Sequence, residues 1–241
     1  MSTQSRGIIF QQVKYNDKSL IVKIYLEETG LQSFLVKGAT NRSSRFKPAH
    51  FQPLSLVELV YNHRANKDLQ FLNDLMIHVH FTSLYTNMQK SAMILFMNEL
   101  LIKTVKEHEA NPSLFEYLFQ SIQWLDLVQE DFLDFHLYFA IELSRHLGFY
   151  PKIDELGKNQ VFDLIEGIFK AEFPSHQYYI GLPFSEYFAL LCKPNQQTPG
   201  QFGFDNHIRR MLLQQIILFY SLHIPGFNDM KSPDVLRMVM G

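Results

Sequence analysis

The hydrophobic period of this chain changes once, near residue 81, and that change limits the possible folds more than any other feature. Before it, short apolar runs separated by turn residues follow the two-residue period of strands. Five strands are expected: Ile8 to Val13, Ser19 to Leu26, Leu31 to Lys37, Leu54 to Tyr61, and Leu69 to Val79, where Leu75, Ile77 and Val79 alternate. The polar run Lys14-Tyr15-Asn16-Asp17-Lys18 and the pair Thr29-Gly30 supply the first two turns. Five strands in so short a segment predict a small closed barrel of the OB type.

After Phe81 the period is helical. Asn111 sits where an N-cap belongs, with Pro112 at the first helical position, and Leu114, Leu118, Ile122 and Leu125 recur on one face. Met88 to Val105 is apolar on most faces, as a helix buried on several sides must be. Asp131 to Leu147 repeats the pattern through Phe132, Phe135, Phe139 and Leu143 and stops at Gly148, with Pro151 beyond. Residues 207 to 223 form another helix ended by Pro225-Gly226, Lys193 to Gly203 is a loop, and Ser232-Pro233 starts a last short helix. The expected architecture is α+β and multidomain: a five-stranded OB-fold β-barrel over residues 1–80, then an all-α domain over 81–241.

Charge divides the same way. Ten Lys and Arg face six Asp and Glu in residues 1 to 80, against twelve and eighteen in the remainder, although the whole chain carries only −2. The densest positive stretch holds Lys37, Arg42, Arg45 and Lys47, with no acid between Thr29 and Val57. A loop of this kind either tracks a phosphate backbone along a barrel groove or is a solvated connection. Arg6, Lys14 and Lys18 are weaker additions to the same electropositive half. Tyr15, Tyr25, Phe34 and Phe46 are candidates for base stacking, against the general tendency of large aromatics to be core. In the helical half, Arg145 and the pair Arg209-Arg210 stand on otherwise apolar helices. They either snorkel to water or anchor the acidic end of a partner peptide.

Catalytic signatures are missing: no phosphate-binding loop, dinucleotide turn, nucleophile elbow or zinc-protease helix occurs. A non-enzyme is expected. His78 and His80 share a strand face without a third ligand nearby in sequence, and the carboxylate pairs Glu107/Glu109 and Asp131/Asp134 fall near helix ends, where solvation or the helix dipole accounts for them. No metal and no cofactor are expected. The single cysteine, Cys192, suits a reducing compartment, and neither a signal peptide nor a membrane span is read, so the expected location is the cytosol.

Arg6-Gly7-Ile8-Ile9, Tyr15 through Val22, Thr29-Gly30, Leu35-Val36-Lys37-Gly38-Ala39 and Phe51-Gln52-Pro53-Leu54 resemble, in order and spacing, the N-terminal domain of the RecO family of bacterial recombination mediators. Ala92 to Leu101, Phe115 to Leu127 and Leu143-Ser144-Arg145-His146-Leu147-Gly148-Phe149-Tyr150-Pro151 are similar to its helical domain. The resemblance implies a non-catalytic DNA repair factor associated with the bacterial nucleoid. Such a factor binds single- and double-stranded DNA, anneals complementary strands, engages the C-terminal tail of the single-stranded-DNA-binding protein, and helps RecR load RecA. Where many members carry a four-cysteine zinc module, Lys152 to Phe169 holds no cysteine. The resemblance therefore implies a zinc-free member in which Val161 to Phe169 packs through apolar side chains. Two other readings fit the residues: a protein adaptor whose helical domain holds an extended peptide and whose barrel binds DNA only weakly, and an RNA-binding barrel.

Overall fold

The computed structural model describes residues 2–39, 45–64, 67–106, 109–153, 160–193, 200–227 and 229–240. Five strands, β1 (Ser2–Asn16), β2 (Ser19–Leu26), β3 (Gly30–Lys37), β4 (Leu56–Asn62) and β5 (Leu69–Ile77), close a barrel in the order β1-β2-β3-β5-β4. Closure comes from a short parallel pairing of β3 with β5, beginning at Ser33 opposite Leu69, and an antiparallel pairing of β1 with β4. The strands are those expected, with one substantial difference. β1 begins at Ser2 rather than Ile8, because its first half, polar in sequence, pairs with β4 while its second half pairs with β2. A bulge at Phe10 separates the two halves and bends the strand from one neighbour to the other.

Ile9, Val22, Ile24, Phe34, Val36, Val57, Leu59 and Tyr61 fill the barrel. Phe51, on the 3-10 turn Pro48–Phe51, is fully buried in the same core, and Phe46 packs partly against it. Burying a Phe contributes about 1.5–3 kcal/mol. These two rings thus anchor the end of the cationic segment to the barrel. At the β2–β3 turn Gly30 has φ +67°, and a Cβ there would lie 2.3 Å from the Glu109 carbonyl oxygen, so both the conformation and the space demand glycine.

Among the described residues six α-helices follow: α1 (Met88–Thr104), α2 (Pro112–Leu127), α3 (Phe135–His146), α4 (Phe184–Cys192), α5 (Asn206–His223) and α6 (Ser232–Met240). Two compact units result. The first comprises Met1–Thr86 with Leu101–Asp126, the second Asn87–Leu100 with Leu127–Gly241. Helix α2 thus belongs with the barrel. Its Phe115 stacks on Tyr25, which in turn stacks on Phe10. Asp126, near its C-terminal end, accepts backbone hydrogen bonds from Thr82, Ser83 and Leu84 and so fixes the segment leaving the barrel. Burial alone would raise the Asp126 pKa; the Ser83, Thr82 and Leu84 donors outweigh it and hold the carboxyl below its ordinary range.

In the second unit α3, α4 and α5 pack together, and the Tyr220 hydroxyl donates to the Ala140 carbonyl at 2.6 Å. Glu99 of α1 accepts from the Lys231 and Ser232 amides at the start of α6. Helix α3 starts at Phe135, later than the sequence pattern suggests. Asp131 is left-handed, with φ +55°, and Asp134 turns its carboxylate away from its own helix. In a stretch to which the sequence assigns no helix or strand, β6 (Val161–Asp163), β7 (Ile168–Lys170) and β8 (Tyr179–Ile180) form a small antiparallel sheet.

Candidate nucleic-acid and partner interfaces

Strand register lays out the outer face of the barrel. Val13 pairs with Ile21, Ile21 with Leu35, and Leu35 with Phe71, so four apolar side chains form one row across β1, β2, β3 and β5. The adjacent row is Gln11, Lys23, Ser33 and Leu69. Both rows point outward, because the alternating residues Val22, Phe34 and Gln70 are buried. Lys37, at the end of β3, sets its ammonium 5.0 Å from the centre of the Phe71 ring, and the Arg64 guanidinium lies at the same distance from that centre. Arg64 is held by Gln70. The buried Gln70 amide accepts from the Arg64 backbone N–H at 2.9 Å and donates to the carbonyls of Arg64 and Lys67.

The cations expected to meet DNA have different surroundings. Lys37 is exposed on this outer face. Arg45 is exposed and ion-paired with Asp74 of β5. Lys47 is half-buried and directly precedes the 3-10 turn. Arg42 lies outside the described residues. Lys14 pairs with Asp17 at 2.7 Å in the β1–β2 turn, where the Lys18 amide donates to the Asn16 side chain. Arg6 is committed elsewhere: its guanidinium pairs with Glu27 at 2.7 Å, lies 3.4 Å from Glu116, and covers the Phe115 and Phe119 rings of α2. The Glu27 hydrogen bond raises the Arg6 pKa and lowers that of Glu27. Of the four aromatics considered for stacking, Tyr25 and Phe34 are core, Phe46 packs partly against the core, and Tyr15 is exposed. Phe71, Arg64 and Lys23 went unremarked in the sequence. Outward alternation on β5 was the available signal, obscured because Leu69-Gln70-Phe71-Leu72 does not alternate cleanly.

In the second unit a cavity of about 150 Å³ opens beside α5 and α6. Arg209, Arg210 and Arg237 line it together with Leu213, Leu236 and Met240. Arg210 is exposed and has no acidic partner among the described residues, whereas Arg237 pairs with Asp234 on its own helix. Arg209 neither snorkels freely nor stands open. It is largely buried against Asp134 at 3.2 Å, and that carboxylate also accepts from the Phe202 and Phe204 amides. Burial raises the Asp134 pKa despite those donors. Asp134 is therefore an internal ion-pair partner rather than a solvated helix-end acid. Arg145 is not among the residues lining this cavity: it pairs with Glu142 and lies 3.5 Å over the Tyr150 ring.

The cysteine-free segment is organised by more than apolar packing. Phe162 contacts Phe169, Phe188 and Phe219, as the apolar pattern of 161–169 leads one to expect. Beside it, the fully buried Asp163 accepts from the Ile165 and Glu166 amides and from the Lys170 ammonium, with His176 at 3.4 Å. Burial raises the Asp163 pKa, and Lys170 with the two amides more than reverses it. Among the described residues no three His, Cys, Asp or Glu side chains come together as a metal site. His78 lies 3.8 Å from Glu58 and edge-on to Phe119. No described helix is long and apolar enough to cross a membrane.

Two family models match the chain: the recombination protein O N-terminal model over residues 1–80 and the recombination protein O C-terminal model over 85–233. Among similar proteins are the DNA repair protein RecO of Azobacteroides pseudotrichonymphae, 33% identical over 99% of both chains, and that of Bacteroides fragilis, 36% identical over 98% of both. The DNA repair protein RecO of Christiangramia forsetii is 33% identical over the full length of each.

Proposed function

Because this chain belongs to the RecO family of DNA repair proteins, we propose that it is a non-catalytic repair factor whose barrel domain, residues 1–80, binds DNA and whose helical domain, 81–241, recruits proteins. The observation that carries the reading is the segregation of charge: the excess of cations lies in the barrel half, densest between Lys37 and Lys47. Lys37, Arg42, Arg45 and Lys47 hold the phosphate backbone, with Lys14 and Lys18 at the margin. Arg6 is not carried into this interface, since Glu27 and the α2 rings already occupy it. Annealing follows from neutralisation: two strands repel through their phosphates, and cations that screen both leave the base edges free to pair. In the cell such a factor works on the cytoplasmic chromosome beside RecR, easing RecA onto DNA coated by the single-stranded-DNA-binding protein.

For the helical domain, a peptide with an acidic stretch and an apolar end fits the cavity beside α5 and α6. Arg210 and Arg237 would meet its carboxylates, and Leu213, Leu236 and Met240 its apolar end. This is the feature that favours the adaptor reading, in which peptide binding is strong and DNA binding weak. The tail of the single-stranded-DNA-binding protein is the peptide to use.

One experiment separates the two. Complementary oligonucleotides coated with the single-stranded-DNA-binding protein are annealed with that protein's tail present or deleted. A mediator accelerates annealing only when the tail is present, and Arg210→Glu abolishes that acceleration while sparing annealing of naked strands. An adaptor leaves naked strands unaffected. On naked single strands, four neutralised phosphates give a log–log salt slope near about −3. A slope near zero refutes the backbone contact.

A further inference from the structure

We infer that the outward row Val13–Ile21–Leu35–Phe71 is a seat for unpaired nucleobases, with Phe71 as the residue on which a base stacks. This rests on the DNA-binding reading above and adds to it the means by which the barrel tells a single strand from a duplex. The row is continuous by register across four strands. At a strand spacing of 4.7–4.9 Å it runs for about 14 Å, room for a few stacked bases. Its members stay accessible: Val13 is half exposed, and Ile21, Leu35 and Phe71 are partly so. A contiguous apolar row on a solvated sheet face offers a seat for a ligand, and the charge around it points to the chemistry of that ligand. Lys23 lies in the neighbouring row, and Lys37 and Arg64 converge on the Phe71 ring.

The arrangement favours an apolar, aromatic ligand tied to a polyanion. The two cations, each 5.0 Å from the ring centre, are near enough to meet the phosphates of a nucleotide whose base stacks there. When a phosphate draws Lys37 or Arg64 outward, the ring it covered is uncovered for a base. A weak cation–π contact is thus exchanged for an ion pair and a stack. Gln70 keeps the Arg64 backbone in place through that exchange, because its three hydrogen bonds go to backbone atoms that do not move with the guanidinium. A duplex presents phosphates to the same cations but keeps its bases inside, so it gains nothing from the ring.

The test compares three probes of equal length on the full chain: an oligothymidylate, its abasic counterpart with the same phosphates, and a duplex. The wild-type protein is expected to bind the oligothymidylate at least about five-fold more tightly than the abasic strand. Phe71→Ala is expected to remove that difference while leaving abasic and duplex affinities within two-fold of wild type. Phe71→Tyr, which keeps a ring, retains the preference. Equal wild-type affinity for the base-bearing and abasic strands overturns the inference even if every variant misfolds, as does a well-folded Phe71→Ala protein with its preference intact. Failure to bind any of the three probes refutes instead the DNA-binding reading on which the inference stands.

Discussion

Asp74 holds back Arg45, and replacing it is expected to strengthen DNA binding. The pair is exposed on both sides, so it contributes at most about 1 kcal/mol, and a phosphate that claims Arg45 must break it. The carboxylate would also sit near that phosphate; at about 8 Å in water the repulsion is about 0.5 kcal/mol, roughly halved at 0.1 M salt. Together these predict that Asp74→Asn tightens single-strand binding by about two- to ten-fold. Asn is the right replacement because Asp74 Oδ1 accepts the Leu75 amide at 2.8 Å, and an amide oxygen preserves that bond. Fluorescence anisotropy with a labelled oligonucleotide, titrated from about 50 to 200 mM salt, reads both affinity and slope. Arg45→Ala should flatten the slope by about 0.7, and in that background Asp74→Asn should give only the small residual gain from lost repulsion. An unchanged or weakened Asp74→Asn protein, or one whose full gain survives without Arg45, would falsify the assignment of Arg45 to the backbone contact.

Asp126→Ala leaves three backbone amides without their acceptor, at about 1 kcal/mol or more each, and should lower Tm by about 6–12 °C in a thermal scan followed by circular dichroism. The folded Asp126 pKa lies below its unfolded value, so the stabilisation is complete above the ordinary carboxylate range and is lost as pH falls through the folded pKa; the gap between wild type and variant should narrow on acidification and be constant near neutrality. Gly30→Ala meets both the left-handed backbone and the Glu109 carbonyl and should destabilise by about 2 kcal/mol or more in urea unfolding; a neutral result would show that this turn relaxes freely. Arg6→Ala should lower stability through the lost Glu27 pair and Phe119 contact while leaving the salt slope of DNA binding unchanged, which a parallel anisotropy titration checks.

How much of this was legible varied with the range of the interaction. The barrel was, because its inward residues alternate within each strand: Val22, Ile24 and Leu26, or Phe34 and Val36, announce their face locally. The start of α2 was equally local, with the Asn111 side chain accepting the Leu114 amide at 3.0 Å. The first half of β1 was not, since Ser2 to Arg6 form a strand only through pairing with β4, more than fifty residues away. Nor was the fate of Arg6, whose acids lie 21 and 110 positions off, or of Arg209, whose acid lies 75 positions earlier. The three-stranded sheet escaped notice because β8 is two residues long, too short to show a period. Side chains gathered by cross-strand register are the hardest case. Val13, Ile21, Leu35 and Phe71 look unrelated along the chain and become neighbours only when the strands are set side by side.

The contacts around Asp163 bear on how this segment meets an oxidant. The described contacts of this segment run through one carboxylate, one lysine and a cluster of phenylalanines. With no cysteine between Lys152 and Phe169 and the chain's single cysteine buried in α4, it presents no thiolate cage for an oxidant to open. Thiol oxidation therefore has no residue to act on in this part of the fold.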